Sequence, residues 1–213
     1  MSARAIHLVR HGEVHNPTGV LYGRIEGFGL SELGHRMATT AAGSLAGRPI
    51  TRLLASPLQR ARESAAPWAA EFGLAIETEE RVIEPWNRFE GTRMLRGAAV
   101  LQRPESWPWL RNPYKPSWGE PYADIAARMI AAMRDADEQA GQDDEIVFVS
   151  HQLPIWMVHR SIAGLKLHHD PRRRRCALSS ITTVRRDGYG FVELSYSDPA
   201  AGLGTAAVDE GAV

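Results

Sequence analysis

The chain has 213 residues, of which 44% are hydrophobic and 23% charged, the proportions of an ordinary soluble globular protein. Lys+Arg and Asp+Glu each number 25, so the formal net charge is +0 and a generally basic surface for nucleic acid or membrane is not indicated. Cys176 is the only cysteine, which excludes an intrachain disulfide and fits a reducing compartment. No stretch approaches the ~18 apolar residues of a membrane span. Met1 to Ile6 offers no long apolar core, so a cytoplasmic protein without membrane contact is expected.

In chain order, Ala5 to Val9 reads as a short buried strand that runs into Arg10-His11-Gly12. Residues 12 to 30 hold five glycines and one proline and read as loop. Ser31 is placed to cap a helix running to about Leu45. Thr51 to Ala55 is a second strand, followed by a helix with Pro57 in its first turn that Gly73 ends after Phe72. Leu74 to Ile76 is a third strand. The stretch from Glu84 to Tyr122 carries four of the six tryptophans and six prolines. That much proline precludes long regular elements, and that much tryptophan precludes a disordered linker. It predicts an ordered excursion over about 84–121, a lid with one helix near Thr92 to Gln102.

Beyond it, Tyr122 to Gln139 is a helix, Glu145 to Ser150 a strand, and Gln152 to Ala163 a helix with Pro154 in its first turn. Ser179 to Val184 and Gly190 to Tyr196 read as a hairpin about Asp187-Gly188. The segment 199–213 reads as a frayed tail on a single domain spanning 1–198. Strands alternating with helices predict an α/β fold, a three-layer sandwich whose mostly parallel central sheet carries helices on both faces.

In such sheets, sites collect beyond the carboxyl ends of the strands. Arg10-His11 and Ser150-His151 both fall there, about 140 residues apart. A neutral imidazole can attack phosphorus, and a phosphohistidine is labile enough to be hydrolysed in turn. The transferring group needs cations on its equatorial oxygens. Arg10 is adjacent to His11. Arg60, on the helix after Ser56-Pro57, can point back over the same sheet edge with the fork geometry phosphate favours. His151 adds a further donor, and a carboxyl group from the excursion could protonate the leaving alcohol.

These residues resemble the histidine phosphatase superfamily, the phosphoglycerate-mutase-like fold. Five segments in the family's order carry the resemblance: Leu8-Val9-Arg10-His11-Gly12-Glu13, Leu30-Ser31-Glu32-Leu33-Gly34, Ser56-Pro57-Leu58-Gln59-Arg60-Ala61, Gly119-Glu120-Pro121-Tyr122 and Val149-Ser150-His151. The resemblance implies that His11 becomes phosphorylated and that Arg10, Arg60 and His151 form the phosphate pocket. Asn16 is similar to the asparagine that follows the Arg-His-Gly segment, one residue short of the family's spacing. The family's proton-donating carboxylate corresponds to Glu84, in Val82-Ile83-Glu84. Pro85 departs from the family there, which leaves Glu90, in Phe89-Glu90-Gly91, as the alternative donor. Arg24, in the glycine-rich loop, is placed to reach substrate. The implied enzyme is a phosphomonoesterase of histidine acid phosphatase type, acting on a small-molecule phosphate without cofactor or metal.

Plainer readings stand beside these. Arg60 could be a solvated helix residue paired with Glu63 or Glu71, and His151 a core histidine. His7, His35 and His159 read as structural or surface residues. His168-His169-Asp170 could suggest a metal site, but adjacent side chains point apart on most backbones. Arg172 to Arg175 reads as a solvated or salt-bridged loop that could extend a phosphate-attracting field or contact a partner. Cys176 reads as a buried apolar residue. A mutase, a non-catalytic phosphate-binding module and, through the arginine run, a nucleic-acid binder are the competing functions. The segments after the acid (Pro85-Trp86) and after the second histidine (Gln152-Leu153-Pro154) depart from the mutases and favour hydrolysis. The identity of the phosphorylated substrate and the oligomeric state, a homodimer included, stay open.

Overall fold

The structure, a computed structural model, describes residues 2–92 and 118–204. Its elements are β1 (Ala5–Arg10), α1 (Glu32–Gly43), β2 (Ile50–Ala55), α2 (Gln59–Phe72), β3 (Ile76–Thr78), α3 (Tyr122–Glu138), β4 (Glu145–Ser150), α4 (Gln152–Ile162), β5 (Ile181–Asp187), β6 (Gly190–Ser197) and α5 (Ala201–Gly204). The six strands form one sheet in the order β3-β2-β4-β1-β5-β6. β1, β2, β3 and β4 run parallel, and β5 and β6 add the antiparallel hairpin at one edge.

Side-chain alternation in the central strands splits the core into two layers. Ile146 and Phe148 of β4, with Ile6 and Leu8 of β1, pack on Met129 and Met133 of α3 and on Ile155 and Val158 of α4. Val147 and Val149, with Val9, face Ala41 and Ala42 of α1 and Ala61, Ala65 and Trp68 of α2. β1 and β4 are buried over their whole length, as a parallel sheet covered on both faces requires. The three-layer α/β architecture expected from the sequence is therefore the observed one.

Some boundaries differ. α2 starts at Gln59 after an extended Leu58, so Pro57 precedes the helix instead of opening it. β3 begins at Ile76, because Gly73 takes a left-handed cap (φ 65°) and the chain needs two more residues to reach the β2 edge. The residues after Asp198 do not fray at once. Ala200 is buried against Met37 and Leu178, and Leu203 packs beside them, because these apolar side chains find a ready surface on α1. The expected helix near 92–102, with Trp107 and Trp109, lies outside the described residues. The described flanks of the excursion pair with each other through Asn87 and Gly119, and Arg88 N donates to Trp118 O at 2.7 Å. Among the described residues, no helix is long and apolar enough to cross a membrane.

Candidate active site

Register builds the site. Arg10 of β1 lies opposite Ser150 of β4 in a parallel pair, so the next residue of each strand, His11 and His151, leaves the sheet at the same level. His11 N donates to Ser150 O at 3.1 Å, and the two imidazole centroids stand 5.1 Å apart. β2 ends one strand over, where Ser56 N donates to Val149 O at 3.0 Å and Ser56 Oγ reaches His151 Nε2 at 2.8 Å. Arg10, His11, Arg60, Glu84 and His151 are all essentially buried.

The turn after β1 fixes His11. Gly12 and Gly34 pack backbone to backbone. A Cβ on Gly12 would come within 2.4 Å of Gly34 O, and one on Gly34 within 2.1 Å of Glu13 O. This contact is why the Arg-His-Gly and Leu-Ser-Glu-Leu-Gly segments go together, and Ser31 secures it by capping α1 through Gly34 N at 2.9 Å. Ser64 Oγ of α2 accepts from Gly12 N at 3.0 Å. His11 Nδ1 lies 2.8 Å from the Gly12 carbonyl oxygen. A carbonyl only accepts, so Nδ1 carries the hydrogen and Nε2 presents a lone pair. Burial, then the charges of Arg60 and Arg10, hold the His11 pKa well below its ordinary value, so the ring stays neutral.

The arginines are anchored from behind. Arg10 Nη1 donates to Cys176 O at 2.7 Å and Arg60 Nη2 to Gly23 O at 2.7 Å, with the Arg60 guanidinium 4.7 Å over the Tyr22 ring. The plainer reading of Arg60, a solvated partner of Glu63 or Glu71, is thereby corrected: helix α2 turns it inward, where it is 1% exposed.

Glu84 faces this cationic floor. Its Oε2 is 3.4 Å from His151 Nδ1. Burial first raises the Glu84 carboxyl to about 7, against the opposing pull of Arg60, Arg174 and Arg10. Burial, then Arg60 and His11, hold His151 well below its ordinary pKa. Arg60 Nε, Glu84 Oε1 and His151 Nδ1 are buried without a hydrogen-bond partner among the described residues. Orphaned donors and acceptors of this kind, gathered at one point, are the mark of a ligand site. Glu90 instead spends an oxygen on Asn87 N at 2.9 Å.

Arg24 lies beside Glu84, its Nε donating to Glu84 O at 2.6 Å and Nη2 to Glu120 Oε2 at 3.3 Å. With Arg60, Phe28 and Leu58 it lines an open cleft of about 840 Å³. Asn16 turns its amide onto Val20, donating to the carbonyl at 2.9 Å and accepting from the N–H at 3.0 Å. His7 is structural, buried on Glu145 and Thr183, while His35 is exposed and His159 pairs with Glu193. At the suspected metal tract, Asp170 is engaged by Arg172, and the two ring nitrogens of His169 are taken by Leu167 O and Arg174.

Three contributors escaped the sequence reading. Ser56 supports His151, although its Ser-Pro-x-x-Arg context was in plain view. Ser150 Oγ donates to Val82 O at 2.7 Å and so ties the Glu84 segment to β4. Arg174, read as one of a run, donates to Gln152 Oε1 at 3.1 Å, next to His151.

A family model described as histidine phosphatase superfamily (branch 1) matches residues 6–199. The chain belongs to this superfamily. Among curated relatives, the uncharacterized protein Rv0525 of Mycobacterium tuberculosis is 53% identical over 196 residues, covering 92% of this chain and 96% of its own. A glucosyl-3-phosphoglycerate phosphatase of the same species is 27% identical over 166 residues, covering 71% of each. Solved structures of the same fold include the mycobacterial glucosyl-3-phosphoglycerate phosphatase Rv2419c in complex with VO3 (TM-score 0.72, 22% identity, 90% of this chain and 98% of that one). A phosphoserine phosphatase variant from Entamoeba histolytica in complex with phosphoserine matches similarly (TM-score 0.72, 20% identity, 92% and 97%). Histidine phosphatase relatives thus include phosphatases, and a probable phosphoglycerate mutase of Yersinia enterocolitica (27% identical over 185 residues, 83% of each chain) is among them.

Proposed function

We propose that this histidine phosphatase is a phosphomonoester hydrolase that works through a phosphohistidine on His11. The observation that carries the reading is the His11 Nδ1 bond to Gly12 O, which aims a neutral Nε2 lone pair into a buried pocket floored by Arg10 and Arg60. In the first step, Nε2 bonds to phosphorus as the P–O bond to the alcohol breaks. Arg10, Arg60 and His151 hold the equatorial oxygens, and the alkoxide takes the Glu84 proton. In the second step, Glu84, now a carboxylate, accepts a proton from water as that water attacks phosphorus and the N–P bond breaks. This returns His11 and Glu84 to their starting forms and releases phosphate. A carboxyl held near 7 can give and then take a proton at neutral pH.

Arg24, beside the acid, completes the substrate-facing set, whereas Asn16, whose amide is spent on Val20, shapes the loop that carries Arg24. Two guanidiniums supply the charge that a metal would supply elsewhere, so hydrolysis persists in chelator. The lone buried Cys176 suits a cytoplasmic enzyme. The substrate is a small-molecule phosphomonoester.

A phosphomonoester panel with free-phosphate detection tests this, with His11→Ala as control. Release by the wild type and none by His11→Ala supports hydrolysis. Efficient isomerisation of 3-phosphoglycerate with a bisphosphoglycerate primer, without net phosphate release, would establish a mutase. No turnover of any phosphomonoester would favour a binding module.

A further inference from the structure

Each of the two site histidines, kept neutral foremost by burial, carries a single ring hydrogen, and the fold decides where it sits. At His11 the Gly12 carbonyl takes Nδ1–H and leaves Nε2 bare. At His151 the deciding group is Ser56. Its Oγ lies 2.8 Å from His151 Nε2, where a hydroxyl can give or receive a hydrogen. The surroundings settle which. Leu58 N donates to the same Oγ at 3.4 Å, and among the described residues the hydroxyl hydrogen meets no acceptor other than Nε2. Were the imidazole hydrogen on Nε2, the fully buried Ser56 would hold a donor with nothing to receive it. His151 Nδ1 would then present a lone pair 3.4 Å from Glu84 Oε2, where it competes with the leaving oxygen for the acid's proton. With Ser56 donating to Nε2, the hydrogen of His151 sits on Nδ1, the nitrogen that is buried without a partner among the described residues.

Ser56 is itself held in place. Its N–H donates to Val149 O at 3.0 Å, which pins it beside the strand that ends in His151. Pro57 disfavours helical backbone at the residue before it, so Ser56 stays at the sheet edge before α2 begins at Gln59. We propose that Ser56 is a positioning residue that fixes His151 in the Nδ1–H form, so that His151 meets the phosphoryl group as a neutral hydrogen-bond donor. The two histidines then carry their hydrogen on the same atom and use opposite ends of the ring. His11 offers the bare Nε2 to phosphorus, and His151 offers Nδ1–H to an equatorial oxygen. The inference rests on the hydrolase reading above for its catalytic consequence, but the tautomer is read without turnover.

Nitrogen NMR of the protein with isotopically labelled histidine tests it, because a protonated ring nitrogen and a bare one resonate far apart. The His151 signals are those lost in His151→Gln. The wild type should show a protonated Nδ1 and a bare Nε2 on His151. In Ser56→Ala, which gives Nε2 nothing to bond, the His151 signals should move toward the average of the two tautomers while those of His11 stay in place. The affinity for vanadate, measured by calorimetry, should fall about tenfold in the same variant, the worth of a hydrogen bond to a charged group. Thermal melting shows whether Ser56→Ala folds, and where it does not the wild-type spectrum still decides. A wild type with the His151 hydrogen on Nε2 overturns the inference and leaves the hydrolase reading standing. So does a folded Ser56→Ala that keeps the wild-type His151 signals or binds vanadate as tightly as the wild type. An enzyme with the expected spectrum that releases no phosphate from any phosphomonoester overturns the hydrolase reading and leaves the tautomer assigned.

Discussion

β1 and β4 carry a buried polar cluster at each end, and the two clusters are built to opposite plans. At the amino ends, Glu145 is fully buried and accepts from Arg48 through both oxygens, at 2.7 and 2.6 Å, with His7 Nε2 at 2.9 Å. Burial pushes its carboxyl up, but the hydrogen bonds from Arg48 and His7 outweigh this and hold it below its ordinary value. At the carboxyl ends, Glu84 is equally buried and stands among four arginine charges, yet its carboxyl rises to about 7. The difference is contact. Arg48 bonds to Glu145, whereas Arg60 and Arg10 are anchored to the carbonyls of Gly23 and Cys176. One carboxylate is satisfied within the fold. The other keeps its Oε1 buried without a hydrogen-bond partner among the described residues, an arrangement that costs stability.

The largest effect that sharpens this contrast is on turnover. Glu84→Gln should lower kcat for an alkyl phosphate roughly 100- to 10,000-fold, the usual worth of a positioned acid. An aryl phosphate, whose leaving group needs no proton, should suffer much less. In the wild type, the first half-reaction on alkyl phosphates should fall as pH rises above about 7, where Glu84 loses its proton, and Glu84→Gln should lose that limb. Rapid-quench measurement across pH 5–9 checks both.

Next comes the amino-end cluster. Glu145→Gln should cost about 2–3 kcal/mol in urea denaturation at pH 7, less than for a fully buried pair because Arg48 is half in solvent. Its turnover should match that of the wild type under conditions where both are folded.

The same substitution at Glu84 should act with the opposite sign. Its folded pKa is about 7 against an ordinary 4.5, so the fold favours the protonated carboxyl. That stabilisation is complete below about pH 4.5 and is lost as pH rises to about 7. Glu84→Gln should therefore be about 2 kcal/mol more stable than the wild type at pH 8, with the gap closing toward pH 4.5.

The smallest effect concerns position. Ser150→Ala removes the bond that holds Val82 and should lower kcat a few-fold, roughly 1 kcal/mol, with KM nearly unchanged and the pH limb intact.

Much of this was legible in the sequence because it is written in local signals. A strand that ends in His-Gly, a serine that caps a helix and a second strand that ends in Ser-His place His11 and His151 once the strands are paired in parallel. The Val-Ile-Glu segment after β3 left Glu84 and Glu90 both open as donors, and only packing tells them apart: Glu84 is buried beyond Val82, which Ser150 holds, while Glu90 spends an oxygen on Asn87. Arg174 was illegible for a related reason. Four like residues in a row carry no sign of direction, which here is set by partners distant in sequence or across a turn, Glu193, Gln152 and His169. The docking of Ala200 was hidden likewise, since its partners Met37 and Leu178 come from other elements.

The central claim is that His11 Nε2 takes the phosphoryl group. It is met most directly by quenching the enzyme during turnover of an aryl phosphate under alkaline conditions, which preserve phosphohistidine, and mapping the modification by mass spectrometry. A phosphoryl group on His11 of the wild type, and none on His11→Ala, is the expected result. Phosphate release that proceeds with the phosphoryl group found on another residue, or that survives in His11→Ala, would contradict it.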